Sequence, residues 1–185
     1  MTTHSGTKAM VTANHCGTGI SWKTPAGAAV GTSGSGNSGV DAMIITGQNY
    51  AGTIYTGTYT AATSKPVYAV YDPQVGDTVC VSGAYSGSFC GAKVQYANYY
   101  IGGVGPGFTA WDPNYLALAG PGDSGGPRYQ TTGSGVLVTG IIRGGIQEDT
   151  ANCRGASGRL ICFWKIFAIY PNSIMAALNL QIIAS

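Results

Sequence analysis

The chain has 185 residues, enough for one domain of ordinary size or two small linked barrels with a real core. Charged residues make up only 9% of it, against about 25% in an average soluble protein, so hydroxyl and amide groups supply its polarity. This composition argues against long helices and coiled coils. A formal net charge of +2 without a run of Lys or Arg argues against a nucleic-acid partner. No apolar stretch reaches the roughly 20 residues of a membrane helix, so we expect no membrane partner.

Short runs rich in β-branched and aromatic residues alternate with turn-forming residues along the chain. The predicted strands are residues 8–12, 42–46, 66–71, 93–100, 136–142 and 160–169. This spacing is typical of an antiparallel sandwich or barrel. A helix is predicted only at the end, where Pro171 can start it and Ile174, Ala177 and Leu178 form one apolar face.

Two stretches bear on the organisation of the chain. Residues 31–39 (GTSGSGNSG) could form a flexible linker, although we expect a surface loop. Pro and Gly within residues 72–78 mark a boundary between two groups of strands. We therefore predict a first unit at residues 1–72 and a second, carrying the helix, at residues 73–185.

The five cysteines fall into two close pairs and one orphan, Cys16. Paired cysteines in a chain of low charge indicate an oxidising compartment, and we expect a secreted protein. The first ten residues lack the basic and apolar regions of a signal peptide. We expect that the signal was removed or that upstream sequence is missing.

Residues 120–127 (GPGDSGGP) are the most informative string in the sequence. Glycines on both sides of Ser124 allow a tight turn that projects its hydroxyl, as an acyl-transfer nucleophile requires. The N–H groups of Gly122 and Ser124 could form an oxyanion hole. The alternative is a glycine-rich turn that merely contains a serine.

A serine nucleophile needs a base, and the chain has only two histidines. His4 lies in a polar segment and is expected to be solvated, which leaves His15, at the end of a predicted strand, as the base. Of the seven carboxylates, only Asp41 leads directly into an apolar strand. Burial there requires a partner, so we expect Asp41 to orient His15, with an exposed strand-edge aspartate as the alternative.

The strings TANHC, VDAMII and GDSGGP, in that order, resemble the chymotrypsin-like serine proteases. VCVSG followed by FCG resembles the bacterial streptogrisin and alpha-lytic branch, in which a disulfide hairpin closes a loop of the second barrel. The resemblance implies an all-β fold of two perpendicular antiparallel six-stranded β-barrels with a C-terminal α-helix. It also implies His15 as general base, Asp41 as its orienter, Ser124 as nucleophile, and Gly122 with Ser124 as oxyanion donors.

By the same resemblance, Gly144 and Gly145 form the edge strand on which the substrate backbone pairs. Leu118, Ala119 and Pro121 are expected to line the specificity pocket, and they contain no acid. We therefore predict a preference for apolar side chains at P1, the substrate residue before the scissile bond. Glu148 and Asp149 would overturn this preference if their loop folds into the pocket.

The sequence departs from the family pattern at Arg143, in the substrate-binding segment, where the family usually has a serine that helps to hold the aspartate. Its guanidinium could stabilise Asp41 and draw it away from His15, or turn to solvent. The usual cysteine before the nucleophile is also missing, so we predict the disulfides Cys80–Cys90 and Cys153–Cys162.

The start of the chain also departs from the family pattern, because members of the family carry a further strand before the histidine. We therefore expect an incomplete first barrel and a truncated or mis-assigned start.

These observations predict a secreted serine endopeptidase that acts through an acyl-enzyme. We expect no cofactor and no metal, a polypeptide substrate, protein protease inhibitors as possible partners, and a monomer. One alternative is an inactive homologue that binds peptides without turnover, suggested by Arg143 and the missing strand. A second is a carbohydrate-binding β module that uses the many tyrosines, of which there are 12.

Overall fold

A computed structural model of the protein describes residues 1–3, 5–24, 26–61, 63–155 and 161–184. His4 and the first residue of the last predicted strand, Leu160, lie outside these ranges. The described elements, in chain order, are β1 (Thr2–Thr3), β2 (Met10–Ala13), a 3-10 turn (Asn14–Cys16), β3 (Ser21–Lys23), β4 (Ala29–Asn37), β5 (Ala42–Thr46), β6 (Thr53–Tyr55), β7 (Ser64–Val70), β8 (Thr78–Gly83), β9 (Gly87–Ile101), β10 (Val104–Trp111), β11 (Pro127–Thr132), β12 (Gly135–Gly145), β13 (Thr150–Ala151), β14 (Cys162–Phe163), β15 (Lys165–Ile169), α1 (Pro171–Leu178) and β16 (Leu180–Gln181).

The second half of the chain forms a closed barrel of six strands. Their order is β11-β8-β9-β10-β15-β12, and β12 pairs back onto β11 to close the ring. The interior is apolar and includes Val79, Phe108, Leu118 and Ile166, each fully buried. This part of the chain therefore has the six-stranded barrel that the resemblance implied.

The first half forms a smaller, open sheet of four antiparallel strands in the order β2-β5-β4-β3. Strand β7 pairs in parallel with β12, with Val67 opposite Val136, and β6 pairs with β7. Residues that precede the predicted boundary at 72–78 therefore hydrogen-bond to a strand that follows it, while the division at residue 72 itself stays a prediction.

The expectation of a surface loop at residues 31–39 was wrong, because residues 29–37 form strand β4. The strand pairs with β5 in a register that places Ser33 opposite Ile45 and Gly36 opposite Met43. Glycine is needed at Gly36, where a Cβ would collide with the side-chain oxygen of Asn14. The glycines that suggested a loop therefore allow close approach within a sheet.

The predicted helix forms at Pro171–Leu178, with proline in its first turn. Ile174 is buried and Leu178 is half-buried against β5 and the barrel, in a cluster that includes Ala42 and Phe167. Ala177 is exposed, in contrast to the predicted face. Within the described ranges, no helix has the length and apolar character needed to cross a membrane.

Candidate active site

Asp41 holds His15 through both its backbone and its side chain. The backbone N–H of His15 donates to Oδ1 of Asp41 at 2.9 Å, and Nδ1 of the His15 ring lies 2.7 Å from Oδ2. The backbone carbonyl of Asp41 also accepts from the N–H of Asn14 at 3.0 Å. Asp41 is 6% exposed, while 48% of the His15 side chain is exposed. A buried carboxylate therefore fixes an imidazole that faces the solvent.

The backbone at Asp41 is unusual, since its φ is +41°. Only a few per cent of residues other than glycine have positive φ, and aspartate is one of the types that tolerate it best. Asp41 occupies the turn directly before β5. This turn directs both carboxylate oxygens back toward the 3-10 turn that carries His15.

The loop that carries Ser124 packs directly against strand β2. Gly125 has a φ of +80°, and a Cβ there would collide with Oγ1 of Thr12. The N–H of Gly125 donates to the carbonyl of Ile142 at 2.8 Å, and the carbonyl of Gly126 accepts from the N–H of Ile142 at the same distance. Two glycines thus let the serine loop fit between β2 and β12, close to the segment that bears His15.

The Asp123 carboxylate, which the sequence analysis left without a role, supports this loop from beneath. It is 1% exposed and accepts hydrogen bonds from the N–H of Tyr85, from the N–H and hydroxyl of Ser86, and from the N–H of Gly120 at 2.8 Å. Tyr85 and Ser86 lie in the turn between β8 and β9. Because Tyr85 and Ser86 are 38 and 37 residues away from Asp123 in the chain, no local sequence signal identifies them.

The two predicted oxyanion donors are available to a ligand. Within the described residues, neither the N–H of Gly122 nor that of Ser124 donates to a protein acceptor. Gly122 has a φ of +88°, which glycine adopts without strain. Both N–H groups are thus without a protein acceptor among the described residues, and their role as oxyanion donors stays a prediction.

The hydroxyl of Ser124 makes no hydrogen bond to the His15 ring or to any other residue that the structure describes. Catalytic hydrogen bonds are often long or poorly aligned in free enzymes and tighten when substrate binds. The Ser124 loop therefore contacts β2, the strand that leads into the 3-10 turn carrying His15, without a hydrogen bond from the Ser124 hydroxyl to the described residues.

Arg143 forms an ion pair with Asp41. Its Nε lies 3.6 Å from Oδ2, the oxygen that also contacts Nδ1 of His15, and 36% of its side chain is exposed. The guanidinium does not draw Asp41 away from the histidine, because both contacts to His15 are retained. It does not turn fully to solvent either, and it does not line the pocket beside Ser124.

A small cavity of about 90 Å³ lies beside Ser124. Its other lining residues are Ala119, Gly120, Pro121, Ile142, Gly144, Gly145 and Phe163. Leu118, expected in the pocket, is instead fully buried in the barrel core, because side chains alternate between the two sides of an extended segment. Glu148 and Asp149 do not line the cavity, and the Asp149 carboxylate pairs with Lys165 at 3.3 Å.

Sequence reasoning missed two side chains that line this cavity, Ile142 and Phe163. Ile142 directly precedes Arg143 in β12. Phe163 follows the serine by 39 positions and reaches the cavity through pairing with Ala119, a bridge between separate segments. Such long-range placement leaves no pattern in a single sequence.

Both predicted disulfides, Cys80–Cys90 and Cys153–Cys162, are present. Cys16, next to His15, is a free thiol. Burial raises its pKa, and the charge of Asp41 raises it further, so the thiol stays protonated and weakly nucleophilic. The described part of the chain contains no group of three or more His, Cys, Asp or Glu side chains that could hold a metal ion.

No protein-family model matches the sequence. Among solved structures, Thermobifida fusca protease A matches with a TM-score of 0.68 and 22% identity, over 99% of this chain and 88% of that one. Nocardiopsis protease matches with a TM-score of 0.65 and 23% identity, over 96% and 86% of the two chains. Cellulomonas bogoriensis chymotrypsin matches with a TM-score of 0.64 and 25% identity, over 95% and 85%.

These neighbours are bacterial serine proteases, hydrolases that act on peptide bonds. Each match covers nearly all of the present chain, including both the open sheet and the closed barrel. The chain therefore has the fold of the chymotrypsin-like serine proteases of the bacterial streptogrisin and alpha-lytic branch.

Proposed function

We propose that this protein is a serine endopeptidase in which Ser124 attacks the peptide carbonyl and His15 takes the hydroxyl proton. Asp41 orients the His15 ring, and the N–H groups of Gly122 and Ser124 stabilise the oxyanion. His15 then passes its proton to the leaving amine, and water hydrolyses the acyl-enzyme by the same route. Each step uses a side chain or backbone group of this chain, so the reaction needs no cofactor.

The observation that carries the proposal is the pair of contacts from Asp41 to His15, at 2.9 Å to the backbone N–H and 2.7 Å to the ring. A carboxylate bound to Nδ1 leaves Nε2 as the basic nitrogen and stabilises the imidazolium that forms during reaction. A purely structural Asp–His pair would not explain why the Ser124 loop packs against the strand that leads to His15. It would also not explain why two N–H groups of that loop have no acceptor among the described residues.

The pocket supports a preference for apolar P1 side chains. Its apolar walls include Ala119, Pro121, Ile142 and Phe163, and no charged residue lines it. Gly144 and Gly145, at the end of β12, line the cavity and pair with β15 on one side, and we infer that their other side takes the substrate backbone. We infer a polypeptide substrate, protein protease inhibitors as further partners, and a secreted monomer whose two disulfides suit an oxidising compartment.

The second candidate is an inactive homologue that binds peptides. Two observations favour it, namely the ion pair of Arg143 with Asp41 and the missing hydrogen bond between Ser124 and His15 within the described residues. Arg143 shares Oδ2 of Asp41 with the histidine. Its positive charge offsets part of the carboxylate's negative charge, which would otherwise stabilise the imidazolium. This candidate retains the cleft and the strand edge but has no turnover.

Labelling with a fluorophosphonate probe tests the proposal. We expect stoichiometric labelling of the intact chain that is lost in Ser124→Ala and strongly slowed in His15→Ala, with both variants folded by circular dichroism. Labelling that survives in Ser124→Ala, or no labelling of the wild-type chain, contradicts the peptidase. In the second case, peptide binding that persists in Ser124→Ala supports the inactive homologue.

Replacement of Arg143 separates the two candidates further. In Arg143→Ser the carboxylate of Asp41 is released to His15 alone, so we expect the labelling rate to rise by about tenfold or less if Arg143 moderates an active triad. The matched control is Arg143→Lys, which keeps the positive charge and is expected to keep the wild-type rate. A rise of several orders of magnitude indicates that Arg143 disables the natural protein.

A further inference from the structure

We propose that Phe163 closes the pocket beside Ser124, so that the pocket accepts small aliphatic P1 side chains such as alanine and valine and excludes aromatic ones. This inference rests on the proposed peptidase function and adds the residue that sets its substrate class. It follows from three observations, on the backbone of Phe163, on its ring, and on the chemistry of the cavity wall.

The backbone of Phe163 is fixed to the opposite wall of the pocket. Its N–H donates to the carbonyl of Ala119 at 2.8 Å, and its carbonyl accepts from the N–H of Leu118 at 2.8 Å. Its neighbour Cys162 is fully buried and forms the disulfide with Cys153. Strand β14 therefore cannot move outward to enlarge the pocket without breaking these connections.

The ring of Phe163 lies against Gly145, across the cavity. A Cβ at Gly145 would collide with three ring atoms of Phe163, so ring and glycine backbone are in direct contact. Gly144 contrasts with it, because a Cβ there would meet no atom within 4 Å. The ring thus occupies the space that a larger P1 side chain would need between Gly145 and Ala119.

The space that remains is small and uncharged. The cavity has a volume of about 90 Å³, far below the roughly 300 Å³ at which ordinary ligand pockets begin. Its apolar walls include the methyl group of Ala119, the sec-butyl group of Ile142 and the aromatic ring of Phe163. Asp149, one of the two acids that the sequence offered as an acidic wall, instead pairs with Lys165. Shape, and not charge, therefore selects the side chain.

The test uses tetrapeptide p-nitroanilides that differ only at P1, with alanine, valine or phenylalanine. For the wild-type chain we expect kcat/KM to be at least tenfold higher for alanine or valine than for phenylalanine, the scale at which pocket size discriminates. Phe163→Ala should reverse this order. Phe163→Leu, which retains more packing, should move the ratio part of the way and serves if the alanine variant does not fold.

The control is Phe89→Ala, which removes another phenylalanine that packs against the same barrel core. It should leave the ratio of the phenylalanine to the alanine substrate unchanged, whereas general loosening of the core would move it. Equal use of both substrates by the wild-type chain, or an unchanged ratio in Phe163→Ala, overturns the proposal.

Failure of the peptidase function is scored separately, by the absence of Ser124-dependent labelling. In that case the pocket is probed by calorimetric titration of Ser124→Ala with acetylated tetrapeptide acids ending in alanine or phenylalanine. Tighter binding of the alanine peptide, reversed on replacement of Phe163 by alanine, supports the assignment. Equal affinities refute it.

Discussion

Arg128 is a charged side chain in the interior of the closed barrel. It is 0% exposed, and none of its three guanidinium nitrogens has a hydrogen-bond partner in the described chain. Its guanidinium carbon lies 5.4 Å from the centre of the Phe108 ring, a cation–π contact. Burial lowers its pKa to about 9. The cost of removing this charge from water is therefore only partly offset.

We expect Arg128→Leu to increase the free energy of unfolding at pH 7 by about 1–4 kcal/mol, the range found when apolar residues replace buried ionic groups. Chemical denaturation of both proteins measures the difference. Arg128→Gln is the control, because it removes the charge and leaves a buried polar group. A stability below that of the wild-type chain in Arg128→Leu would contradict this reading of the site.

The stability difference between Arg128→Leu and the wild-type chain should depend on pH. Burial lowers the pKa of Arg128 to about 9 in the folded protein, well below its value in the unfolded chain, so in the window above pH 9 the unfolded state binds more protons. The free-energy cost of burying the Arg128 charge is complete below pH 9 and falls as the pH rises through that window. The advantage of Arg128→Leu should therefore shrink from pH 8 to pH 11. Burial raises the pKa values of Tyr129 and Tyr170, and their ionisation opposes the effect of Arg128. Both proteins contain these tyrosines, so the difference between the two free energies of unfolding does not include their contribution.

Strand β4 shows at the level of elements how glycine can indicate two different structures. Its run of glycine and serine has the composition of a loop, yet it pairs along β5 and places Gly36 directly beneath Asn14. Asn14 begins the 3-10 turn that carries His15. The strand thus supports the segment of the candidate base, a role that composition alone does not predict.

A matched pair of substitutions tests this contact. Gly36→Ala should lower the free energy of unfolding by about 1–3 kcal/mol and slow labelling of Ser124, because the added Cβ displaces Asn14. Gly34→Ala is the control in the same strand, where a Cβ meets nothing within 4 Å, and it should be neutral or slightly stabilising. Thermal unfolding and the labelling rate are the two measurements. Equal behaviour of the two variants would show that the contact has no influence on the site.

At the scale of the whole molecule, the candidate site depends on contacts between the first half of the chain and the second. Gly125 touches Thr12, Arg143 pairs with Asp41, and β7 joins the edge of the barrel through β12. Each contact joins residues that are about 70 or more positions apart, so the site assembles only when the whole chain folds. The two disulfides close short loops within the second half of the chain.

Removing either disulfide should lower the free energy of unfolding by about 2–3 kcal/mol, as the chain-entropy model predicts for loops of 9 or 10 residues. The double substitution of Cys153 and Cys162 by serine should also weaken the P1 preference, since Cys162 anchors Phe163. The same change at Cys80 and Cys90 should affect stability alone. Denaturation curves and P1 ratios for the two variants distinguish these outcomes, and identical P1 ratios would contradict the anchoring role.

The local features of this protein could be predicted from its amino-acid sequence alone. Alternating strands, the two disulfide pairs and the terminal helix follow from short-range patterns, and the scarcity of His and Asp candidates singled out His15 and Asp41. The glycines around Ser124 identified its loop because tight turns demand glycine within a few residues. Such features depend on neighbours in the chain, so one sequence is enough to read them.

The features that join distant segments became visible once the folded chain was known. The tertiary structure gave Asp123 its partners at Tyr85 and Ser86, placed Phe163 in the pocket and Leu118 in the core, and set Arg143 on Asp41 without displacing His15. It also turned a loop-like composition into strand β4. The physical reason is that burial, charge pairing and close backbone approach depend on which segments meet in space, and chain order does not specify those meetings.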